Sequence, residues 1–442
     1  MDPRRPSPRA QPRSSPVGAD FDPEDAYLSA GAAAERLGVK RASLYSYASR
    51  GLVRSVPAAQ GRARLYSRAD VERLRARHDA RAGHGAVAAS ALRFGEPVLD
   101  SAITEIVAAG PRVRGHLLVE LVAQRITFER TALLLWTGAL PDTVPALSAR
   151  SADATFARVA RLLPPGSSPL ARLALLVPAL AVRDLDRFAA LPAAEQLRAA
   201  QLIKSLAAGV ALPDVAAARA ALATNCVAAA LARATGARRG ADVLHAIDAA
   251  LVLSSDHELN ASTFCARIAA STGADLYACF SAGLAALSGP RHGGGCDRVE
   301  ALVSETGTPR RAASVVRARA RRGDALAGFG HPLYPAGDPR TPPLLALGRT
   351  LAKKTGGAAA VAARTLLALV DAAADLRGEA PTLDLGLVVI ALASSMAPGS
   401  ASAIFGIGRA AGWTAHVIEQ RDSTALLRPR ARFRADETQR VA

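Results

Sequence analysis

His257 in SSDHELN, His331 in GFGHPLYPAGDPR and Asp384 in TLDLG are the residues of this chain whose types and settings suit proton chemistry. An imidazole donates a hydrogen bond or exchanges a proton near neutral pH, and a carboxylate is a weak base. Three arginines accompany them: Arg340 closes the His331 segment, Arg409 lies in FGIGRAAGW and Arg428 in LLRPR. A planar guanidinium fork is well matched to a carboxylate. Taken singly, His257 reads as a helix-cap or core histidine and Asp384 as an N-cap, so the surrounding segments must decide for or against chemistry. His78, His84, His245 and His416 have no such setting, and His292 in SGPRHGGG reads as structural.

The four cysteines, Cys226, Cys265, Cys279 and Cys296, form no CxxC or CxH pair. Neither a metal site nor a disulfide framework is expected, and the thiols read as reduced, mostly buried and cytoplasmic.

The elements carrying these residues are expected to be helices. Half of the 442 residues are hydrophobic but only 4% are aromatic, so the core must be built from Ala, Leu and Val, which favours close-packed helices over sheet. The hydrophobic share excludes a fully disordered basic protein, and the length predicts two or three domains. From Ser90 on, helical segments are broken by Pro and Gly, with no convincing strand run. Leu385 to Gly408 carries no charge, but Pro398-Gly399 at its centre predicts two buried helices joined by a turn, not a membrane span.

The net charge is +17, unevenly spread: residues 1–85 hold 16 Lys/Arg against 9 Asp/Glu. Residues 1–25 lack an apolar stretch and read as a disordered tail without a secretory signal. From Tyr27 the periodicity is helical, broken, then helical. Ala32, Ala33 and Leu37 share one helix face, Gly38 ends that helix, and Leu44 with Tyr47 or Ala48 gives the next its buried stripe. The second helix opens with Lys40, Arg41 and Ser43, where a recognition helix meets bases and phosphates. Gln60 to Tyr66 forms a basic wing with Arg62 and Arg64, and Ser67 caps a third helix bearing Glu72.

This stretch resembles the winged helix-turn-helix of MerR-type regulators: an Ala-rich first helix, an LGV turn, an aromatic-bearing second helix, an RxYS wing and an xDVxRL third helix. Between Gly31 and Ala82 there are 12 Lys/Arg against 4 Asp/Glu, as a phosphate-facing surface requires. The resemblance implies binding of double-stranded DNA through residues 26–82, with Lys40, Arg41, Ser43, Arg62 and Arg64 as candidate contacts. The alternative is a tether that no longer binds DNA. No long heptad helix follows, so the dimer that such regulators use must come from elsewhere.

Residues 83–442 carry five separated motifs in order: RVRGHLLVELVAQRITFERTALLLWTGALP, the His257 segment running on to SGPRHGGG, the His331 segment, TLDLG, and FGIGRAAGWTAHVIEQ with LLRPR. Together they resemble the citrate synthase family. The resemblance implies an all-α fold with a large helical domain and a smaller one at roughly 259–390, and the condensation of acetyl-CoA with oxaloacetate to citrate in the tricarboxylic acid cycle. It implies that Asp384 is the base, that His257 donates to the thioester oxygen with a neutral ring held by Ser254, Ser255 or Asn260, and that His331 donates to the ketone. It further implies that Arg340 and Arg409 bind the substrate carboxylates, that Arg428 is donated across a homodimer interface, and that Gly328, Phe329 and Gly330 approach CoA. His116, after the Arg-Gly pair of the first motif, is expected near the site. No permanently bound cofactor is implied; acetyl-CoA is a substrate.

The pattern also departs from the family's. HGGAN is here His292-Gly293-Gly294-Gly295-Cys296, without the asparagine; NVD is Thr382-Leu383-Asp384; and no histidine precedes the central motif between Leu212 and Ala241. The departures bear on the identity of the 2-oxoacid and on the rate and leave the three chemical groups intact; the alternatives are 2-methylcitrate synthesis from propionyl-CoA and, from the basic N-terminal module, a DNA-binding regulator whose synthase-like body senses citrate, oxaloacetate or acyl-CoA.

Overall fold

In the computed structural model the described residues are 27–50, 52–58, 63–68, 70–72, 74, 99–144, 153–331, 333–334, 336–423 and 425–429. The expected tail 1–25, Arg62 and residues 75–98 lie outside them. The chain forms two compact units, one within Met1–Asp100 and a body, Ser101–Arg428.

In the first unit, strands β1 (Tyr27–Ser29), β2 (Ser55–Pro57) and β3 (Arg64–Ser67) make an antiparallel sheet in the order β1-β3-β2, beside helices α1 (Ala30–Leu37) and α2 (Arg41–Ser49). Ser29 caps α1 by accepting from the Ala32 N–H, and Gly38 ends it in the left-handed conformation, φ 63°. Leu28, Ala33, Ala34, Leu37, Leu44, Val53, Tyr66 and Val71 form a small core of their own. Buried Asp70 takes both the Nε and Nη2 donors of Arg54, at 2.7 and 3.2 Å. Ser67 Oγ accepts from the Asp70 N–H, as its expected capping role requires.

The body is helical, with one exception to the sequence-based expectation. Strands β4 (Thr104–Val107), β5 (Gly110–Val113) and β6 (His116–Leu117) form a three-stranded antiparallel sheet where no strand run was expected. The strands are short, and the β4–β5 turn is Ala108-Ala109 in place of the Asn-Gly pair that signals a hairpin. The Arg114-Gly115 pair of the first motif is the β5–β6 turn, with φ 46° and 88°.

The helices then run α3 (Leu118–Ala123), α4 (Phe128–Thr137), α5 (Asp153–Leu162), α6 (Pro169–Ala181), α7 (Pro192–Gly209), α8 (Val215–Leu222), α9 (Val227–Ala234), α10 (Ala241–Ser254), α11 (Ala261–Ser271) and α12 (Leu276–Leu287). They continue as α13 (Gly295–Thr306), α14 (Ala312–Arg322), α15 (Thr341–Lys354), α16 (Gly357–Arg377), α17 (Leu383–Ala393) and α18 (Ser400–Asp422). Helix α18 is the axle: it is buried along almost its whole length and packs against α4, α7, α10, α11, α12 and α17. Its small residues let neighbours come close; a Cβ on Gly283 of α12 would stand 2.9 Å from the Trp413 ring. The uncharged stretch is the expected pair of buried helices, α17 and the start of α18. The turn between them ends at Gly399, φ 76°, whose N–H is held by the Glu300 carboxylate. Among the described residues one helix, α16, is long and apolar enough to cross a membrane, and half of its apolar window is buried inside this fold.

Candidate active site

Three loops and one helix start converge. His257 follows α10 in a loop that Asn260 closes by capping α11, its Oδ1 accepting from the Thr263 N–H at 3.2 Å. His331 sits between α14 and α15, in a segment stapled to the approach to α17: the Gly330 N–H donates to the Ala380 carbonyl, the Thr382 N–H to the Gly328 carbonyl, and Phe329 bridges Pro381. That stapling brings Asp384, in the first turn of α17, beside the His331 segment. Gly328 and Gly330 need their glycines for this, at φ 84° and 72°.

The His257 and His331 rings lie 6.0 Å apart, edge to face, with Tyr334 against both. His257 Nε2 is 2.8 Å from the Tyr334 hydroxyl. This corrects the expected partners: of His257, Asn260 reaches only the backbone carbonyl, the Ser254 hydroxyl donates to the Ala250 carbonyl, and the buried Ser255 hydroxyl has no partner among the described residues. The Leu333 N–H donates to His331 Nδ1 at 3.1 Å, which places the proton of a neutral His331 on Nε2.

Electrostatics keep these rings neutral. Burial pushes His257 well below its ordinary value, and the charges of Arg340 and Arg409 push the same way. His331 is lowered by burial too, with Arg340 adding to it and Asp338 opposing. The Asp384 carboxyl is raised by burial, offset by hydrogen bonds from Cys296 and Thr382 and by the charge of Arg340. Tyr334 is pushed up to about 12 by burial, so the phenol keeps its proton.

The arginines divide. Arg340 is 3% exposed, and its fork is already filled: Nε and Nη2 donate to Asp338 at 2.9 and 2.7 Å. Only Nη1 is left, buried and without a partner. Arg409 is 1% exposed, spends Nε on the Ser254 carbonyl and lies over the Phe405 ring. Burial lowers it to about 10, and its terminal amino groups donate to nothing among the described residues. Arg428 is exposed beyond α18 and is not brought to the others. His116 is exposed on β6. His292 fits its structural reading: Nε2 bonds Ser262 Oγ at 2.8 Å, the ring packs on Phe405, and burial lowers it to about 4. Among the described residues no cluster of three or more His, Cys, Asp or Glu side chains suits a metal.

The sequence reading missed Tyr334, Asp338 and Cys296. The first two are legible in hindsight, three residues after His331 and two before Arg340.

The fold and this convergence define a protein of the citrate synthase family, and the chain belongs to it. Residues 93–430 match the family model for the citrate synthase C-terminal domain, and residues 27–79 match a helix-turn-helix domain. Citrate synthase 2 of Bacillus subtilis is 32% identical over 197 residues, 45% of this chain and 52% of that one. The chain thus spans about half the length of several curated relatives it matches. A 2-methylcitrate synthase of Mycobacterium tuberculosis is 30% identical over 344 residues, 74% of this chain and 85% of that one. Among solved structures, a citrate synthase of Thermoplasma acidophilum, in ternary complex with carboxymethyl coenzyme A and oxaloacetate, superposes with a TM-score of 0.67 at 23% identity, over 78% of this chain and 97% of that one.

Proposed function

We propose that this chain condenses acetyl-CoA with oxaloacetate and water to give citrate and CoA. The observation that carries this reading is the pair of neutral imidazoles, His257 and His331, set beside a buried carboxylate and two buried arginines. Asp384 takes a proton from the acetyl methyl group. A carboxylate is too weak a base for this unless the developing oxyanion is stabilised as the proton leaves. A neutral His257 donates to that oxygen, and the resulting enol attacks the ketone carbon of oxaloacetate, whose oxygen His331 Nε2–H supports. Each such donor contributes roughly 3 to 4 kcal/mol. Water then hydrolyses the thioester and releases CoA.

Arg340 Nη1 and the terminal amino groups of Arg409 take the two carboxylates, and Arg428 serves the site of a second copy in a homodimer. The exposed apolar run Val182, Leu185, Phe188, Leu191 and Leu197 supports an interface between copies. The smaller, hinged part spans roughly residues 259–390, from α11 to α17. Closing it would exclude water from the enol. Gly328, Phe329 and Gly330 line the CoA approach, and the reaction takes place in the cytoplasm.

Thiol release by purified protein with oxaloacetate and either acetyl-CoA or propionyl-CoA tests this. Acetyl-CoA is expected to be preferred; faster turnover of propionyl-CoA would make it a 2-methylcitrate synthase. Release that is absent with both, or unchanged in Asp384→Ala, rejects the reading.

A second reading is favoured by the N-terminal unit: Lys40 and Arg41 are exposed at the start of α2 without an ion pair among the described residues, and Arg64 is exposed on β3. It is a regulator that binds duplex DNA through residues 26–82. Salt-dependent DNA retention by the full chain, lost on removal of residues 1–82, supports it; no retention at low salt excludes it.

A further inference from the structure

The two asparagine positions at which the motifs depart from the family pattern meet at one group. Cys296, in place of the asparagine of HGGAN, sends its thiol to Asp384 Oδ1 at 3.6 Å. Thr382, in place of the asparagine of NVD, sends its hydroxyl to Asp384 Oδ2 at 3.2 Å. Cys296 is fully buried, Thr382 is 6% exposed, and Gly295, where the family pattern has alanine, lets α13 approach the carboxylate closely: a Cβ there would stand 2.6 Å from Asp384 Oδ1, so an alanine would displace it. The carboxylate is thus gripped from both sides, by a thiol on α13 and a hydroxyl at the start of its own helix.

We propose that Cys296 and Thr382 are a matched pair of positioning residues that fix the orientation of the Asp384 carboxylate and set the pH at which it ionises. This rests on the reading of Asp384 as the base. Donors to a carboxylate favour its charged form, whereas burial favours the neutral acid. A thiol is a weak donor, so this pair offsets burial only in part and leaves a stronger base than two good donors would. Cys296 is fully buried and acts through Asp384.

Two measurements on the full-length protein test the proposal separately from the enzymatic reading. In infrared difference spectra of wild type against Cys296→Ala, the missing S–H stretch is expected at the lowered frequency of a thiol bonded to an anion, and to move up in Asp384→Asn. A band indifferent to Asp384→Asn overturns the contact whether or not the protein turns over. In kcat against pH, Cys296→Val and Thr382→Val are each expected to shift the ascending limb to higher pH by roughly half to one unit, because the ionised base has lost a donor. Thr382→Ser, which keeps the hydroxyl donor, holds the limb near its original place, and Cys296→Ser, which puts a stronger donor on the carboxylate, is expected to move it to lower pH. An active wild type whose limb stays fixed in both Val variants overturns the proposal. A wild type as inert as Asp384→Asn rejects the enzymatic reading, and the infrared band then decides the positioning role alone.

Discussion

The hydroxyl of Tyr334 stands 2.8 Å from Nε2 of His257 and its ring 5.0 Å from that of His331, so one phenol spans both candidate donors. Tyr334→Phe keeps the packing and removes the bond that fixes the His257 ring. Since a net buried hydrogen bond contributes about 1 kcal/mol, kcat is expected to fall about five- to tenfold with the thermal midpoint nearly unchanged. Steady-state kinetics beside a melting curve checks this; an unchanged kcat would mean the phenol does not orient the imidazole.

Arg340 cannot be replaced by lysine. Its Nε and Nη2 are committed to Asp338, which is itself 2% exposed, and only Nη1 is free for a ligand. Arg340→Lys breaks the two-point pairing, so a loss of about 3 kcal/mol in stability is expected together with a raised KM for the oxoacid. Burial acts to raise the Asp338 carboxyl, but the charge and hydrogen bonds of Arg340 outweigh it and hold the group below the ordinary range. The stabilisation is therefore complete above the ordinary carboxylate value and is lost as pH falls through the lower folded one. Asp338→Asn should show a smaller loss of stability below about pH 4 than the wild type, measured by denaturant unfolding across pH.

The five motifs in order carried the fold and the choice of His257, His331, Asp384, Arg340 and Arg409, because each is a short run of residues with its chemistry inside it. What they could not carry was pairing at a distance. Tyr334 against His257 joins residues 77 apart, and Cys296 against Asp384 joins residues 88 apart. The departures at Cys296 and Thr382 were visible as separate oddities; only the packing of α13 on α17 shows that they face one carboxylate. The β4–β6 sheet escaped for a different reason, since its strands are short and its first turn has no glycine or asparagine between them. The candidates flanking His257 in sequence were wrong because the Ser254 hydroxyl turns back to the Ala250 carbonyl of its own helix and the Asn260 side chain is spent on capping α11.

Gly283 and Trp413 set the distance between α12 and α18. Gly283→Ala places a methyl 2.9 Å from the indole in a region without free volume. A loss of about 1 to 3 kcal/mol is expected from overpacking, read as a lower denaturation midpoint at constant slope. A variant as stable as wild type would show that the helices can part at little cost.

Lys40 and Arg41 lie at the N-terminal end of α2, exposed, with Ser43 half-buried behind them. If they contact phosphates, Lys40→Ala and Arg41→Ala each weaken duplex binding across all sequences and reduce the slope of log affinity against log salt by about 1. Titrations at several salt concentrations check it. A slope equal to that of the wild type in both variants removes them from the DNA contact.

The residue before His257 is held by a network from three distant segments. Asp256 is fully buried, and its Oδ2 accepts from Thr104 Oγ1 at 2.6 Å, from the Glu258 N–H at 3.2 Å and from His416 Nε2 at 3.3 Å. Arg267 Nη1 lies 3.4 Å from His416 Nδ1 and donates to it, which leaves the ring's Nε2–H to face the carboxylate. Glu258, next along, is forced to φ 53°, so the loop presenting His257 is strained on one side and anchored on the other. His416→Ala strips a donor from a buried carboxylate and is expected to cost about 3 to 5 kcal/mol, whereas His416→Gln, which keeps a donor, recovers part of it. Because the same carboxylate anchors the His257 loop, kcat should fall in His416→Ala and partly return in His416→Gln, with KM for oxaloacetate moving less than kcat. Equal stability and kcat in both variants would show that the loop is held by its backbone alone.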